Sequence, residues 1–435
     1  MHTDLVLGFM PLSVAVVLTG FAVCLLVVAT QGLHGRLTLD GDEGVQKFHT
    51  RPTPRVGGLG LIAALGVAVW FSTAEAGRIL LLLLVAGLPA FIAGFAEDLL
   101  KRVGVRERLL ATMASGVLAW WLSGTSLTRL DVPGLDAVLA LLPVSVLFTA
   151  FAVAGVANAV NIIDGFNGLA SGVVMISLAA LGAMAHLVGD GALAQVCLLL
   201  GAAMAGFLLV NYPFGRIFLG DGGAYLAGFC LGWVAVLLPM RNPSISPWAV
   251  FLACSYPIIE VLFSVVRRRR RQLHPGHPDR LHLHSLIKCR VVRKQLPGWS
   301  RLAQNSAVAP IVWVFASVPA LAAVAFRGNL PALLCLALVF TVLYGIAYRR
   351  LARFRLRLPR RAGAVSVRRA MAMRDAVAGE PGVINRVRPE PLSGSLVPTV
   401  PESIPGLAPP VPKHTPGTAL TSTSAPAAQA TLDRA

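Results

Sequence analysis

Charged side chains are scarce in this sequence of 435 residues. Asp, Glu, Lys and Arg together make up 13% of the chain, against about 25% in typical soluble proteins. Hydrophobic residues make up 56%, and the mean hydropathy is +0.72. These values exclude an ordinary soluble domain, so a lipid bilayer is the expected solvent of most of the chain.

Cysteine pairs of the kind that form disulfides or redox motifs are also lacking. The chain has six cysteines, five of them inside apolar runs, and no C-x-x-C sequence. This spacing excludes a disulfide framework and a dithiol redox site. We interpret the cysteines as packing residues of helices.

No basic residue precedes the first apolar run. Residues 1–4 contain neither Lys nor Arg, and the run at 5–30 is longer than the core of a signal peptide and has no obvious cleavage site. We therefore expect a retained first transmembrane helix.

The apolar runs predict an all-α polytopic membrane protein with about eleven transmembrane helices, each needing about 20 residues. If the N-terminus is outside, the predicted cytoplasmic segments contain 34 of the 38 Lys and Arg residues. This asymmetry satisfies the positive-inside rule and predicts a cytoplasmic C-terminus. It also explains the net charge of +18 without nucleic acid as a partner. The runs lie near residues 5–30, 57–72, 79–97, 108–123, 138–157, 169–188, 192–211, 222–240, 247–266, 307–326 and 329–348.

The end of the chain has a different composition. From about Arg360 the hydrophobic periodicity stops, and Pro, Ala, Ser, Thr and Gly dominate. We therefore predict a transmembrane domain at 1–350 and a tail at 351–435, which is basic at first and then disordered in the cytoplasm.

Unusual polar residues concentrate at the predicted cytoplasmic ends of the helices, in five clusters. The first precedes Gly57 and Gly58 at a helix entrance, where backbone amides favour phosphate. The alternative is a basic loop that anchors the second helix. The polar residues of this cluster include Lys47, His49, Thr53 and Arg55.

The second cluster is the acidic pair Glu97 and Asp98, followed by several basic residues. Carboxylates at a membrane edge could bind Mg²⁺ or act as a base. The alternative is a pair of acids at a helix end that nearby cations neutralise.

The third cluster has a polar side chain at every third position and no basic residue. On a helix, this spacing gathers three amides and one carboxylate broadly on one side. A topological anchor would be basic, so this cluster is the strongest indication of chemistry in the sequence. Its members are Asn158, Asn161, Asp164 and Asn167.

The fourth cluster places Asp221 between glycines just before a helix. Its carboxylate would suit a hard cation, and the alternative is an Asp that caps the helix.

The fifth cluster follows a run of five arginines and has four histidines within residues 274–284. Zinc is one interpretation. Arg280, His282 and His284 also suit the diphosphate of a sugar nucleotide.

In their order and spacing, these clusters resemble the polyprenyl-phosphate N-acetylhexosamine-1-phosphate transferases, a family of bacterial membrane enzymes. The resemblance covers about residues 5–350. It is carried by K-x-H-x-x-P-T-P-R-x-G-G, the acidic pair, N-x-x-N-x-x-D-G-x-x-G-L-A, F-x-G-D-x-G and D-R-x-H-x-H. The branch that acts on muramoyl-pentapeptide fits less well because its histidine-rich fifth motif differs.

The resemblance implies transfer of an N-acetylhexosamine 1-phosphate from a UDP-sugar to undecaprenyl phosphate, with release of UMP. N-acetylglucosamine is the default sugar, and the step would begin a surface polysaccharide of the O-antigen type. The cofactor would be Mg²⁺, with Mn²⁺ as an alternative. The expected location is the bacterial inner membrane, with the active site facing the cytoplasm. A homodimer is an open possibility for the oligomeric state.

The resemblance also implies roles for individual residues. Asp221 and Asp164 would bind the metal, while Asp98, with Glu97, would position or deprotonate the lipid phosphate, and Asp164 is a further catalytic candidate. Glu97 and Asn167 depart from the family pattern, which usually has Asp at both positions. The implied substrate-binding residues are Lys47, His49, Thr53, Arg55, Asn158, Asn161, Asn167, Arg280, His282 and His284.

Two other functions remain open at this point. A polytopic transporter would bury ionisable residues in the middle of the membrane around broken helices. A noncatalytic relative acting as an assembly partner would tolerate the loss of Asp98 or Asp221.

Overall fold

The computed structural model describes residues 2–40, 52–270, 272 and 281–353, and it confirms the all-α prediction. The first ten helices include most of the long ones. They are α1 (His2–Ala29), α2 (Gln31–Thr38), α3 (Gly58–Phe71), α4 (Ala74–Leu100), α5 (Val105–Ser123), α6 (Leu135–Leu139), α7 (Leu142–Ile163), α8 (Leu169–Leu187), α9 (Gly191–Asn211) and α10 (Gly220–Arg241).

The second part of the chain mixes short and long helices, and a π-helical segment at Lys288–Val292 follows α13. These helices are α11 (Pro247–Ala253), α12 (Ser255–Arg270), α13 (Leu283–Ile287), α14 (Arg293–Gln295), α15 (Arg301–Ser306), α16 (Val308–Ala325) and α17 (Leu330–Ala352). Within the described residues, the extended structure consists of β1 (Leu39–Asp40) and β2 (Thr53–Pro54), which pair antiparallel.

Each of the eleven predicted transmembrane runs contains a helix. Eight spans among the described residues are long and apolar enough to cross a bilayer, and α11 with α12 would form a ninth that bends by 80°. The apolar α3 has 14 residues, and α5 carries charges at its first turn. The eleven-helix count and the direction of insertion stay predictions.

Helix α10 occupies the centre of the bundle. Nearly all of its side chains are buried, and it packs closely against α4 and α7. A Cβ at Gly228 would lie 2.6 Å from the Cα of Ala157 in α7. Small residues of this kind allow helix backbones to approach each other, which is how helices associate in a bilayer.

The ends of the helices alternate between two sides of the bundle, as the sequence predicts. One side, here called the acidic end, contains the C-termini of α4 and α7 and the N-termini of α3, α8 and α10. The other side, here called the Arg241 end, contains Glu75, Asp190 and Arg241. Four of the five polar clusters contribute described residues to the acidic end, and the described histidines of the fifth lie next to it.

Several predictions concern residues outside the described part of the chain. The first cluster includes Lys47 and His49, and the fifth includes Arg280. The tail from residue 354 onward also lies outside the described residues. Their roles stay predictions.

Candidate active site

Two segments that are far apart in sequence pair through their backbones at the acidic end. The amides of Gly57 and Gly58 donate hydrogen bonds to the carbonyls of Phe218 and Leu219, at 2.9 and 3.0 Å. The amide of Phe218 in turn donates to the carbonyl of Pro54 at 2.8 Å. This pairing joins the P-T-P-R-x-G-G motif to the F-x-G-D-x-G motif and fixes Arg55 beside the start of α10.

Asp221 is the point at which four of the predicted motifs meet. Its Oδ1 accepts hydrogen bonds from Nη2 of Arg55 at 3.2 Å and from Nδ2 of Asn161 at 3.1 Å. Its Oδ2 pairs with Nη1 of Arg108. The Asp221 carboxylate is thus surrounded by two guanidinium groups and an amide from three other parts of the chain.

Asp98 holds the first turn of α10 in place. Its Oδ1 and Oδ2 accept hydrogen bonds from the amides of Asp221 and Gly222, both at 3.0 Å. Nε of Arg55 lies 3.5 Å from Oδ1. Asp98 is 2% exposed. Because a carboxylate favours the free amides at a helix N-terminus, Asp98 fixes the position of Asp221.

Close packing at the same place requires glycine. A Cβ at Gly94 of α4 would lie 2.5 Å from the carbonyl carbon of Asp221 and the amide nitrogen of Gly222. Gly220 has a φ of +76°, in the left-handed region that favours glycine. These two glycines let α4 contact the start of α10 directly.

Glu97 and Thr53 lie beside the aspartates without a described contact to them. Oε2 of Glu97 accepts a hydrogen bond from the amide of Val103 at 2.8 Å, which closes the turn after α4. Thr53 is buried in β2. The structure thus separates the acidic pair: Asp98 contacts the start of α10, whereas Glu97 contacts the α4–α5 turn.

Asp164 lies within electrostatic reach of the other two aspartates and makes no side-chain hydrogen bond or ion pair with another described residue. Burial raises the pKa of Asp164 to about 7. The positive charge of Arg55 opposes this rise, and the negative charges of Asp221 and Asp98 add to it. Three carboxyl groups at the acidic end thus lie close enough for the charge of one to influence the protonation of another.

Asn158, of the same cluster, points away from the aspartates. Nδ2 of Asn158 donates to the carbonyl of Ala154 at 2.8 Å and to Oγ1 of Thr112 at 3.3 Å, so this side chain links α7 to α5. Asn161 is the amide of this cluster that reaches the aspartates.

Asn167 connects three segments around the loop between α7 and α8. Its Nδ2 donates to the carbonyl of Pro213 at 3.2 Å and to Oγ of Ser306 at 3.1 Å. A deprotonated Asp could donate neither bond. The departure from the family pattern at this position thus fits a structural use of the amide.

The two described histidines of the fifth cluster lie beside the same loop. Nδ1 of His282 is 3.0 Å from Oε1 of Glu260, and the rings of His282 and His284 stack with centroids 5.3 Å apart. The ring of His284 contacts Phe166 edge-on, at 5.7 Å between centroids. Burial lowers the pKa of His284 to about 4, so its ring is neutral near pH 7.

A buried lysine completes this group. Nζ of Lys288 lies 5.4 Å from the centroid of the Phe166 ring, within the range of a cation–π contact. Burial lowers the pKa of Lys288 to about 8, which leaves most of the side chain charged near pH 7. Phe166 therefore links the loop that carries Asp164 to His284 and Lys288.

The carboxylates of the acidic end are compatible with the predicted magnesium ion only if substrate supplies further ligands. Among the described residues, no three His, Cys, Asp or Glu side chains converge closely enough to hold a metal by themselves. Mg²⁺ does not need such a cage, because it is usually held by one or two carboxylates together with substrate phosphates and water. Asp221 and Asp164 are the two carboxylates that the sequence predicts for this role.

Four contributors to the site were absent from the predicted set of site residues. They are Arg108, Phe166, Glu260 and Lys288. Glu260 had a usable signal, because it is a single acid inside the apolar run at 247–266 and buried acids in membranes are usually functional. The π-helical segment that begins at Lys288 had no comparable signal.

Comparisons with known proteins agree with the motifs. Residues 80–239 match the family model for Glycosyl transferase family 4. The undecaprenyl-phosphate alpha-N-acetylglucosaminyl 1-phosphate transferase of Yersinia pestis is 29% identical over 247 residues, which cover 56% of this chain and 67% of that protein. The protein of the same name from Escherichia coli strain K12 is 29% identical over 249 residues, with the same coverage.

A second kind of enzyme is almost equally similar. The phospho-N-acetylmuramoyl-pentapeptide-transferase of Staphylococcus carnosus is 28% identical over 255 residues, which cover 54% of this chain and 79% of that protein. Overall identity therefore does not separate these two activities.

Proposed function

Because the chain belongs to glycosyl transferase family 4, we propose that it transfers an N-acetylhexosamine 1-phosphate from a UDP-sugar to undecaprenyl phosphate. An oxygen of the lipid phosphate forms a bond to the β-phosphorus of the donor. The bond from that phosphorus to the bridging oxygen breaks, and the bridging oxygen leaves with UMP. The product is a lipid-linked sugar diphosphate.

One observation carries this proposal: four separate motifs converge on Asp221. Transfer of a phosphoryl group between two anions depends on positioning and on neutralising charge more than on covalent chemistry. Arg55 and Arg108 place two positive charges beside the Asp221 carboxylate. An incoming diphosphate would find both its cationic neighbours and its metal-binding carboxylates in one place.

The residues of this chain have distinct roles in the proposed reaction. Asp98 fixes the start of α10 and thereby Asp221, while Asn161 orients the Asp221 carboxylate. Asp221 and Asp164 would hold Mg²⁺, which would withdraw charge from the phosphate oxygens. A lipid phosphate is already largely ionised near neutral pH, so the mechanism does not require a general base.

His282, His284 and Lys288 are assigned to the donor side of the site. They lie next to the loop that carries Asp164, and Phe166 of that loop contacts both His284 and Lys288. A diphosphate needs hydrogen-bond donors and positive charge along its length. Together with Lys47, His49 and Arg280, these residues would bind the phosphates and the sugar.

The form of the fifth motif supports an N-acetylhexosamine donor over a muramoyl-pentapeptide donor. D-R-L-H-L-H is the sequence of this chain at 279–284. N-acetylglucosamine is the default sugar, and the start of an O-antigen-like polysaccharide is the corresponding pathway. Because UDP-sugars are cytosolic and the predicted cytoplasmic segments contain 34 of the 38 Lys and Arg residues, the proposed location is the inner membrane with the site facing the cytoplasm.

The experiment that tests this function measures UMP release by purified protein with undecaprenyl phosphate, Mg²⁺ and a panel of UDP-N-acetylhexosamines. We expect release that requires the lipid, stops when EDTA removes the metal and returns when Mg²⁺ is added back. The preferred donor identifies the sugar. A folded protein that releases no UMP with any donor would favour a noncatalytic relative, and metal-independent release would contradict the assigned cofactor.

A further inference from the structure

Glu260 is buried completely, with no exposed surface, inside a helix that belongs to the membrane part of the protein. It lies in α12, seven residues before Arg267, the first of the arginines at the end of that helix. At 1.5 Å per residue, the carboxylate lies about 10 Å along the helix from the first arginine. A charge at such a depth is costly unless it has partners.

Among the described residues, the hydrogen bonds that Glu260 makes with His282 and Leu283 join it to the D-R-L-H-L-H motif, and the hydroxyl groups of Tyr256 and Tyr344 also lie within its electrostatic reach. Oε1 is 3.0 Å from Nδ1 of His282 and accepts a hydrogen bond from the amide of Leu283 at 3.0 Å. Oε2 lies 3.3 Å from the same amide. The carboxylate therefore contacts the ring of His282 and the backbone at the first residue of α13.

This arrangement fixes which nitrogen of His282 can face substrate. An ionised carboxylate accepts hydrogen bonds and does not donate them, so Nδ1 of His282 must carry a proton. Nε2 is then the nitrogen left for a ligand. Acidic partners that set the orientation and tautomer of a functional histidine are common at active sites.

The same contacts hold His284 in place. Leu283 lies between the two histidines, and their rings are nearly parallel, with an interplanar angle of 4°. Nε2 of His284 lies 3.6 Å from the position that a Cβ would take at Gly165, next to Asp164. Nδ1 of His284 is buried and has no hydrogen-bond partner among the described residues. Glu260 thus anchors a segment whose polar groups adjoin the loop of Asp164.

We propose that Glu260 is a positioning residue for the donor: its carboxylate orients the ring of His282 and the start of α13, so that Nε2 of His282 faces the diphosphate of the UDP-sugar. This inference rests on the proposed function. It explains why an acid is kept in an apolar helix, since an apolar residue of similar volume would often be tolerated where a buried charge has no further use.

The first test is a double-mutant cycle on the full-length protein, with Glu260→Gln, His282→Gln and both changes together. We expect Glu260→Gln to raise the KM for the UDP-sugar by about 10-fold or more and to leave the KM for undecaprenyl phosphate unchanged. In the His282→Gln background, the same change should alter the donor KM less than about 3-fold, because coupled residues are not additive.

A matched control is Ser264→Ala, which alters a buried residue of α12 one turn after Glu260. It should leave the donor KM unchanged. Folded Glu260→Gln protein with the wild-type donor KM would overturn the inference, and so would an equal effect in both backgrounds. If Glu260→Gln cannot be recovered folded, Glu260→Asp replaces it in the same cycle. Asp keeps the negative charge, but its side chain is one methylene shorter and moves the carboxylate away from His282.

The second test does not depend on activity. In protein labelled with ¹⁵N-histidine, His282 should give the signal of a protonated Nδ1, identified by its loss in His282→Gln, and this signal should shift in Glu260→Gln. An unchanged signal would overturn the inference. Wild-type protein that releases no UMP would contradict the proposed function alone, and the positioning by Glu260 would then be judged from these spectra.

Discussion

At both ends of the bundle an aspartate accepts hydrogen bonds from an arginine and an asparagine, yet the two ends differ in what surrounds the pair. At the Arg241 end, Asp190 accepts from Nε of Arg241 at 2.8 Å and from Nδ2 of Asn242 at 3.0 Å. Its Oδ1 also caps α9 through the amide of Leu193. The second acid near Arg241 is Glu75, whose side chain is 52% exposed.

At the acidic end, Asp221 has similar partners in Arg55 and Asn161, but of the neighbouring acids Asp98 is buried and Asp164 is half-buried. Asp98 is fully engaged with the start of α10, and Asp164 has no side-chain partner among the described residues. Gly94 and Gly220 stand at positions where a Cβ would clash with the backbone of Asp221 or with the carboxylate of Asp98. An aspartate that is paired with an arginine and an asparagine is therefore insufficient to indicate a functional site. A buried acid, together with a further acid that has no described side-chain partner, is more informative.

The largest expected difference between the two ends concerns activity. Asp221→Asn should reduce UMP release by at least about 100-fold, because it removes a charge on which metal and phosphate binding depend. Its apparent unfolding temperature should change by only a few degrees, since Asn keeps the volume and Arg55 retains Asp98. An Asp221→Asn protein with half of the wild-type turnover would contradict our assignment of the acidic end.

Asn167→Asp tests whether the departure at this position is structural. The change removes both donated hydrogen bonds and buries a charge next to the carbonyl of Pro213, which should cost about 1–3 kcal/mol. We expect a lower apparent unfolding temperature and no gain in turnover. Higher turnover in the variant, measured at equal amounts of folded protein, would show instead that a carboxylate at 167 belongs to the reaction centre.

Asp190→Asn should have the smallest effect on activity and should act on stability alone. Burial opposes the charge of Asp190, but hydrogen bonds from Arg241, Asn242 and the amide of Leu193 outweigh it and hold its pKa below the usual range. The carboxylate therefore stabilises the fold fully above the unfolded-state pKa of about 3.8, and this contribution is lost as the pH falls through the lower folded-state pKa.

The corresponding measurement is thermal unfolding from about pH 7, where the carboxyl group is ionised in both states, down to about pH 3, where it is largely protonated in the unfolded state. Wild-type protein should lose its advantage over Asp190→Asn as the pH falls, and both should release UMP at the same rate at pH 7. A change in donor KM in Asp190→Asn would contradict this expectation and would mean that the two ends of the bundle are coupled.

Much of the fold was predictable because apolar runs have few alternatives in a bilayer. Without water to bond the backbone, a spanning segment must be helical or part of a closed barrel. Each predicted run accordingly contains a helix. The pairing of β1 with β2 and the 80° bend between α11 and α12 were not predicted, since both depend on contacts with other segments.

The candidate site was predictable to a lesser extent. Asp98, Asn161, Asp164 and Asp221 stand out as polar residues at helix ends, and the structure places them together. Asn158 has the same spacing as Asn161 but faces α5, because three residues along a helix turn a side chain by about 300° and not by a full circle. Arg108 was one of several nearby basic residues, and only its contact with Asp221 distinguishes it.

The sequence by itself determined that this protein is a helical membrane protein with its polar motifs on one side, because hydrophobicity and charge act on each segment separately. Only the tertiary structure decided which acid faces which partner. Asp98 and Glu97 are adjacent and chemically alike, yet Asp98 fixes α10 and Glu97 closes a turn. Such roles depend on the direction of a side chain within packed helices, which is set jointly by segments distant in the chain.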